Sequence, residues 1–216
     1  KAKEHNLIRR NGRYYISICF EYKIVKKPSK ENQIGLDWGL KDYFIDSYGN
    51  TYNLPKSVIR QQVKISKLQR ILANKVKGSK NFARVKEKLS NAYLRQHNIK
   101  KDWIEKFTFE LCSNYNLIVI EDLDLIEMKS KGFRRRRYYM NINSFSNFKE
   151  CLKNKIQRFE TSLIFVDKYF PSSQICSKCG HSDGKKPLSQ RTVNCSKCGN
   201  DMDRDVNAAI NILQKG

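Results

Sequence analysis

The sequence predicts an α/β protein. Its elements are a mixed sheet with flanking helices, a helical hairpin inserted in the middle and a cysteine-rich insertion near the C-terminus. Three observations predict this. Short apolar runs bounded by turn residues, at 34–37, 43–46, 51–54, 117–120 and 163–166, read as strands. Helical periodicity dominates 56–112 and returns at 145–159 and in the last dozen residues. Two Cys-x-x-Cys pairs, Cys176/Cys179 and Cys195/Cys198, stand fifteen residues apart, within the spacing of a four-cysteine zinc ribbon.

Charge bounds the partners. Among 216 residues, 43 Lys and Arg face 21 Asp and Glu, a formal net charge of +22. An excess that large predicts a polyanionic partner, most simply nucleic acid. No apolar run approaches the length of a membrane span, and no secretory signal is present. Cys19, Cys112 and Cys151 lie singly within apolar patterns and read as small buried residues.

Residues 1–30 read as a hairpin and a basic linker. Leu7 to Arg10 leads into Asn11-Gly12, a strong two-residue turn signal, and Tyr14, Ile16, Ile18 and Phe20 then alternate onto one side. The run Ile34-Gly35-Leu36-Asp37-Trp38-Gly39 is a strand with an acid in it. A buried, unpaired carboxylate is costly, so Asp37 needs a cation, either a metal ion or a salt-bridge partner. Strands at 43–46 and 51–54, with the turn Tyr48-Gly49-Asn50 between them, continue an antiparallel meander.

The helical hairpin at 56–112 breaks near Lys77-Gly78-Ser79. Its apolar stripes are Ile65, Leu68 and Leu72 on one arm, and Phe82, Val85, Leu89 and Tyr93, then Trp103, Phe107 and Leu111, on the other. Lys67, Arg70, Lys75, Lys77, Lys80 and Arg84 crowd the outer faces. A charged face is often only solvated surface; the excess of one sign here favours phosphate binding. Leu117 to Ile120 is a buried strand ending in Glu121. Residues 132–139 interleave Arg134, Arg135, Arg136 and Arg137 with Phe133, Tyr138 and Tyr139, a pattern in which arginines grip phosphates while rings stack on bases. A helix stripe, Phe145, Phe148, Leu152, Ile156 and Phe159, and the strand 163–166 lead to the first knuckle.

Four thiolates suit tetrahedral Zn²⁺ and leave no open position, so the cysteine site is expected to be structural. Two disulfides are the duller alternative, and a rubredoxin-type iron centre uses the same ligands. His181 reads as a solvated loop residue. Beyond the second knuckle, Val206, Ala209, Ile210 and Leu213 mark one stripe of a helix whose start carries Asp203 and Asp205; either acid could cap it. Asp37, Glu121 and Asp205 together form the pattern of a two-metal nuclease, in which acidic ligands converge on a pair of Mg²⁺ or Mn²⁺ ions. That requires the strands carrying Asp37 and Glu121 to be neighbours.

The segments GLDWGLK, VIEDLD, FPSSQICSKCG and CGNDMDRDVNAAINIL, in that order, resemble the nuclease portion of the TnpB (OrfB) transposon-encoded family, relatives of the compact type V CRISPR effectors. The resemblance runs from about Arg13 to the C-terminus. It implies an RNase H-like (RuvC) fold, a zinc ribbon inserted before the last catalytic Asp, and RNA-guided DNA cleavage in a prokaryotic cytoplasm, nucleoid-associated when bound to DNA. It assigns catalysis and Mg²⁺ or Mn²⁺ to Asp37, Glu121 and Asp205, with Asp203 the less essential acid, and zinc to Cys176, Cys179, Cys195 and Cys198. Partners would be a guide RNA and target DNA, lying along the charged hairpin.

The division implied is 1–30 as the tail of a wedge-like domain, 31–55, 113–170 and 201–216 as the nuclease fold, 56–112 as the hairpin and 171–200 as the ribbon. Only thirty-six residues precede Asp37, so an N-terminal recognition part is expected to be missing or supplied by a second protein chain. A cleavage-inactive, RNA-guided regulator is the alternative function, and a strand-transfer transposase the third. The three carboxylates favour the enzyme, since a binder has no need of them.

Overall fold

The computed structural model describes residues 2–10, 12–21, 23, 26–27, 30–39, 42–123, 127, 138, 142, 144–185, 187 and 189–216, with the backbone alone at 2, 3, 10 and 20. The arginine run 134–137 lies outside the described residues. The chain divides into two compact units, Lys1–Val25 with Pro55–Trp103, and Lys26–Leu54 with Ile104–Gly216.

In the first unit, β1 (Ala2–Arg10) and β2 (Arg13–Phe20) pair antiparallel, with Arg10 opposite Arg13 across the tight turn and Gly12 at φ +74°. The alternation predicted for β2 is present, but Leu7 and Ile16 on that face are each 69% exposed, and Cys19 is exposed on the other. Period two assigns residues to a face; it does not say that the face is covered. Helix α1 (Lys56–Ala73) and helix α2 (Lys80–Asn114) form the hairpin. Gly78, at φ +86°, supplies the left-handed turn, and Ser79 Oγ accepts from the Phe82 amide at 3.1 Å to start α2.

One stripe position differs from expectation: Tyr93 is exposed, and Ala92 and Gln96 are buried in its place. Tyr93 still joins the arms, because Gln69 Nε2 donates to its hydroxyl at 2.8 Å. The Gln96 amide donates to Val58 O and Gln62 Oε1, so a polar residue is satisfied inside the hairpin. Lys67, Arg70, Lys75, Lys77, Lys80 and Arg84 are all exposed.

The second unit is built on a five-stranded mixed sheet in the order β5-β4-β3-β6-β7. These are β3 (Gln33–Asp37), β4 (Phe44–Asp46), β5 (Thr51–Tyr52), β6 (Leu117–Glu121) and β7 (Ser162–Val166). The meander β3-β4-β5 is antiparallel, while β6 lies parallel to both β3 and β7. On one face an aromatic core forms around Phe44, whose ring centroid lies 4.5 Å from Phe148 of α3 (Phe145–Ile156) and 5.9 Å from Phe107 of α2. Helix α3 ends before Phe159, which is nevertheless buried, with its ring 5.6 Å from Phe109.

Helix α4 (Arg204–Lys215) covers the other face, where Val119, Val166 and Ile212 are buried together. It sits so close that a Cβ on Gly35 would stand 2.2 Å from Ala209 O, closer than any side chain tolerates. Gly35 is therefore what lets the helix reach the sheet. A small sheet, β8 (Thr192–Asn194) with β9 (Asp201–Asp203), carries the second knuckle between its strands. No described helix is long and apolar enough to cross a membrane.

Candidate active site

Leu36 pairs with Ile120 in the parallel β3-β6 ladder, so the next residues, Asp37 and Glu121, end neighbouring strands side by side. Gly35 lies opposite Val119 on the α4 face, and the two carboxylates, two residues further along, share that face. Asp205 comes down from the first turn of α4. The neighbouring strands that a shared metal site requires are present.

The electrostatics show the convergence. Burial first, then the charges of Glu121 and Asp205, push the Asp37 carboxyl well above the usual carboxylate range; Arg204 opposes and Asp203 adds to the rise. Glu121 is raised by burial, against the Ser172 hydroxyl, which donates to Oε1 at 2.7 Å. Asp205 is raised by burial and then by Asp203, against Arg204 and Arg191. No hydrogen bond or ion pair ties the Asp37 carboxylate to another described side chain. A half-buried acid crowded by acids and without an ion pair among the described residues fits a site for divalent metal, and Asp37, Glu121 and Asp205 are the residues that would hold it. Their oxygens do not form a trio within 4.8 Å, a closeness that only the four cysteines reach among the described residues.

Asp46 is the useful contrast. It is fully buried in β4, yet it accepts from the amides of Tyr48 and Asn50, the Asn50 side chain and the Tyr52 hydroxyl, all at 2.8–2.9 Å. That carboxylate is satisfied by its own turn and asks for nothing more.

The two helix-start acids divide the work. Asp203 is the N-cap, accepting from the amides of Asp205 at 2.8 Å and Val206 at 3.1 Å. Asp205 is thereby free of capping and is met only loosely by Arg191 Nη1 at 3.5 Å and Arg204 Nε at 3.9 Å.

The four cysteines meet as the spacing predicted. Cys176 and Cys198 sulfurs are 3.7 Å apart, and those of Cys179 and Cys195 3.6 Å. Disulfides would bring sulfurs to about 2 Å. Tetrahedral Zn²⁺ with Zn–S bonds of about 2.3 Å separates its ligands by roughly 3.8 Å, so the cluster fits zinc. The knuckles are near copies: Gly180 N donates to Cys176 O and Gly199 N to Cys195 O, with both glycines at positive φ.

Sequence reasoning missed the pieces that join the two sites. Asn207 and Asn211 of α4 are buried. Both side-chain amides donate to Ile175 O at 2.7 Å; Asn211 also donates to Ser172 O at 2.7 Å, and Asn207 Oδ1 accepts from the Ser177 amide at 2.9 Å. The apolar stripe on α4 concealed them, since Val206 and Ile210 proved less buried than these asparagines. The i, i+4 spacing of two asparagines in an apolar helix was the available signal.

Strand-end acids facing a helix-start acid, with a four-cysteine cluster tied to the same helix, are the two candidate sites of the described residues, and comparison with known proteins supplies the family. The model for the OrfB family of IS605 elements, described as "Probable transposase", matches residues 17–131, more than half of the 216; a second, "Cas12f1-like, TNB domain", matches 145–212. The chain belongs to the OrfB (TnpB) family. It is 31% identical over 96% of its length to a "Putative RNA-guided DNA endonuclease" of Streptomyces pristinaespiralis, and 31% identical over 95% to the Escherichia coli protein of that description, InsQ. It covers 51% and 54% of those two proteins, so it spans about half the length of the curated relatives it matches. The fold is like that of Cas12f. A CRISPR-Cas12f ternary complex matches 93% of this chain and 42% of its own with a TM-score of 0.64 at 20% identity. A Cas12f1-sgRNA-target DNA complex matches 87% and 40% with a TM-score of 0.59 at 21% identity.

Proposed function

We propose that this chain is the nuclease portion of an RNA-guided DNA endonuclease and hydrolyses phosphodiester bonds at Asp37, Glu121 and Asp205. The observation that carries this reading is the convergence on Asp37 of carboxylates from a neighbouring strand and from the helix above the sheet. Two bound Mg²⁺ or Mn²⁺ ions would supply an activated water and neutralise the leaving oxygen. Asp37 and Glu121 from the sheet, and Asp205 from α4, would hold them. Rigid mounting fixes the separation of the three acids, which in-line displacement requires.

In this reading 31–55, 113–170 and 201–216 form an RNase H-like fold and 171–200 is a zinc ribbon with a structural role. The hairpin 56–112 presents Lys67, Arg70, Lys75, Lys77, Lys80 and Arg84 to the phosphates of the guide–target duplex. The names of the relatives, and the likeness of the fold to a Cas12f1 protein solved with sgRNA and target DNA, support these partners. A DNA cleavage assay with guide RNA and Mg²⁺ tests the proposal. Asp37→Ala, Glu121→Ala and Asp205→Ala should each abolish cutting while nucleic-acid binding persists. Full cutting by Asp205→Ala would overturn the assignment. Binding without cutting by the parent protein, supplied with a guide and the rest of a relative's length, would make it the regulator instead.

A further inference from the structure

We propose that Ser172 is a positioning residue for Glu121, held in place from α4 by Asn211; the inference rests on the reading of Glu121 as a metal ligand. Among the described residues, the Ser172 hydroxyl is the one hydrogen-bond donor to the Glu121 carboxylate, at 2.7 Å on Oε1. Ser172 is itself 7% exposed, so water competes poorly for that bond. Its own place is fixed twice. The Ser172 amide donates to Phe170 O at 2.8 Å, and its carbonyl accepts from the Asn211 side chain at 2.7 Å. Asn211 is buried on the helix that also carries Asp205.

A continuous set of short bonds therefore runs from the helix of one acid to the carboxylate of another. A carboxylate at a strand end can rotate about its terminal torsions. The hydroxyl occupies one lone-pair direction of Oε1, which restricts the rotamer and leaves Oε2 without a hydrogen bond among the described residues. Carboxylates that bind metal are commonly held in this way, and loss of such a partner lowers metal affinity about 10–100-fold.

The test is Mn²⁺ binding, followed by the paramagnetic signal of the free ion during titration of the zinc-loaded chain. Glu121→Gln should lose tight Mn²⁺ binding. Ser172→Ala should weaken it about 10–100-fold, with zinc content and Tm at parental values, and Ser172→Thr, which keeps the hydroxyl, should bind like the parent. Parental affinity in Ser172→Ala, beside lost binding in Glu121→Gln, would overturn this inference and spare the reading of the site. Parental affinity in Glu121→Gln would overturn both. Should Ser172→Ala lose zinc or melt early, Ser172→Thr and Ser172→Val decide: they match in shape and differ by the hydroxyl, and equal Mn²⁺ affinity in that pair would overturn the proposal.

Discussion

Asp37 is more stable protonated in the metal-free fold than in the unfolded chain, because burial and the charges of Glu121 and Asp205 raise its pKa. The sign of the linkage follows. Below the ordinary carboxylate range both states hold the proton and nothing is lost; as pH rises from there towards the raised value, the unfolded chain ionises while the folded one keeps its proton, and stability falls until the folded group ionises too. In EDTA at neutral pH, Asp37→Asn should therefore melt above the parent, by about 2–4 °C for each kcal/mol relieved. Added Mg²⁺ should narrow that gap by stabilising the parent. Differential scanning fluorimetry checks this, and a variant that melts below the parent in EDTA would count against a site strained for want of cations. Asp203 and Asp205 separate by a different measurement. Asp203→Ala should cost about 1 kcal/mol as a lost cap and leave measurable cutting, whereas Asp205→Ala should keep the helix and lose the cutting. Both acids were legible in the sequence as helix-start residues; which one capped was not, since that depends on a φ,ψ choice that both permit.

Between elements, the decisive contact is α4 on β3. Gly35→Ala would place a Cβ against the backbone carbonyl of Ala209, which cannot rotate away. The helix must lift, at a cost of about 1–3 kcal/mol by the measure of overpacked cores, and Asp205 lifts with it. Cutting should fall, though not beyond the loss in Asp205→Ala, while zinc content is unchanged, as metal analysis beside a cleavage assay would report. The strands and helices were readable because Leu117 to Ile120, Ile65, Phe107 and Phe148 keep the period of their elements. The burial of Ala92 and Gln96 in place of Tyr93, and of Asn207 and Asn211, was not readable, because what a helix face meets is decided by residues distant in sequence. Period likewise placed Ile16 and Ile18 on one side of β2 without telling that the side is exposed.

At the scale of the molecule, +22 is carried in good part by the exposed faces of α1 and α2. Binding to duplex should fall steeply with salt, by about 0.9 in log–log slope for each phosphate neutralised. Replacing Lys77, Lys80 and Arg84 together by Ala should reduce that slope by roughly 2–3 if all three meet phosphates. Unchanged slopes in a fluorescence-anisotropy titration would leave those residues as solvated surface. Cys176→Ser should lower zinc content and expose 171–200 to proteolysis, because metal binding and local folding are one equilibrium. Charge and cysteine spacing announced the basic helix faces and the cysteine cluster from sequence alone; the bonds from Asn207 and Asn211 that tie the first knuckle to α4 left no comparable mark.

On the proposed reading of the acids and the cysteines, those two asparagines add a second, slower way for a chelator to act. EDTA would strip labile divalent ions from the acids at once, and Mg²⁺ in excess would restore them. Longer exposure to a chelator that also takes zinc, with Mg²⁺ in excess, would act on another clock. As the thiolates empty, Ile175 and Ser177 loosen, the amides of Asn207 and Asn211 lose their acceptors, and the helix bearing Asp205 drifts from its register over the sheet. Inactivation of that second kind should be slow and indifferent to Mg²⁺, and only refolding with zinc should reverse it.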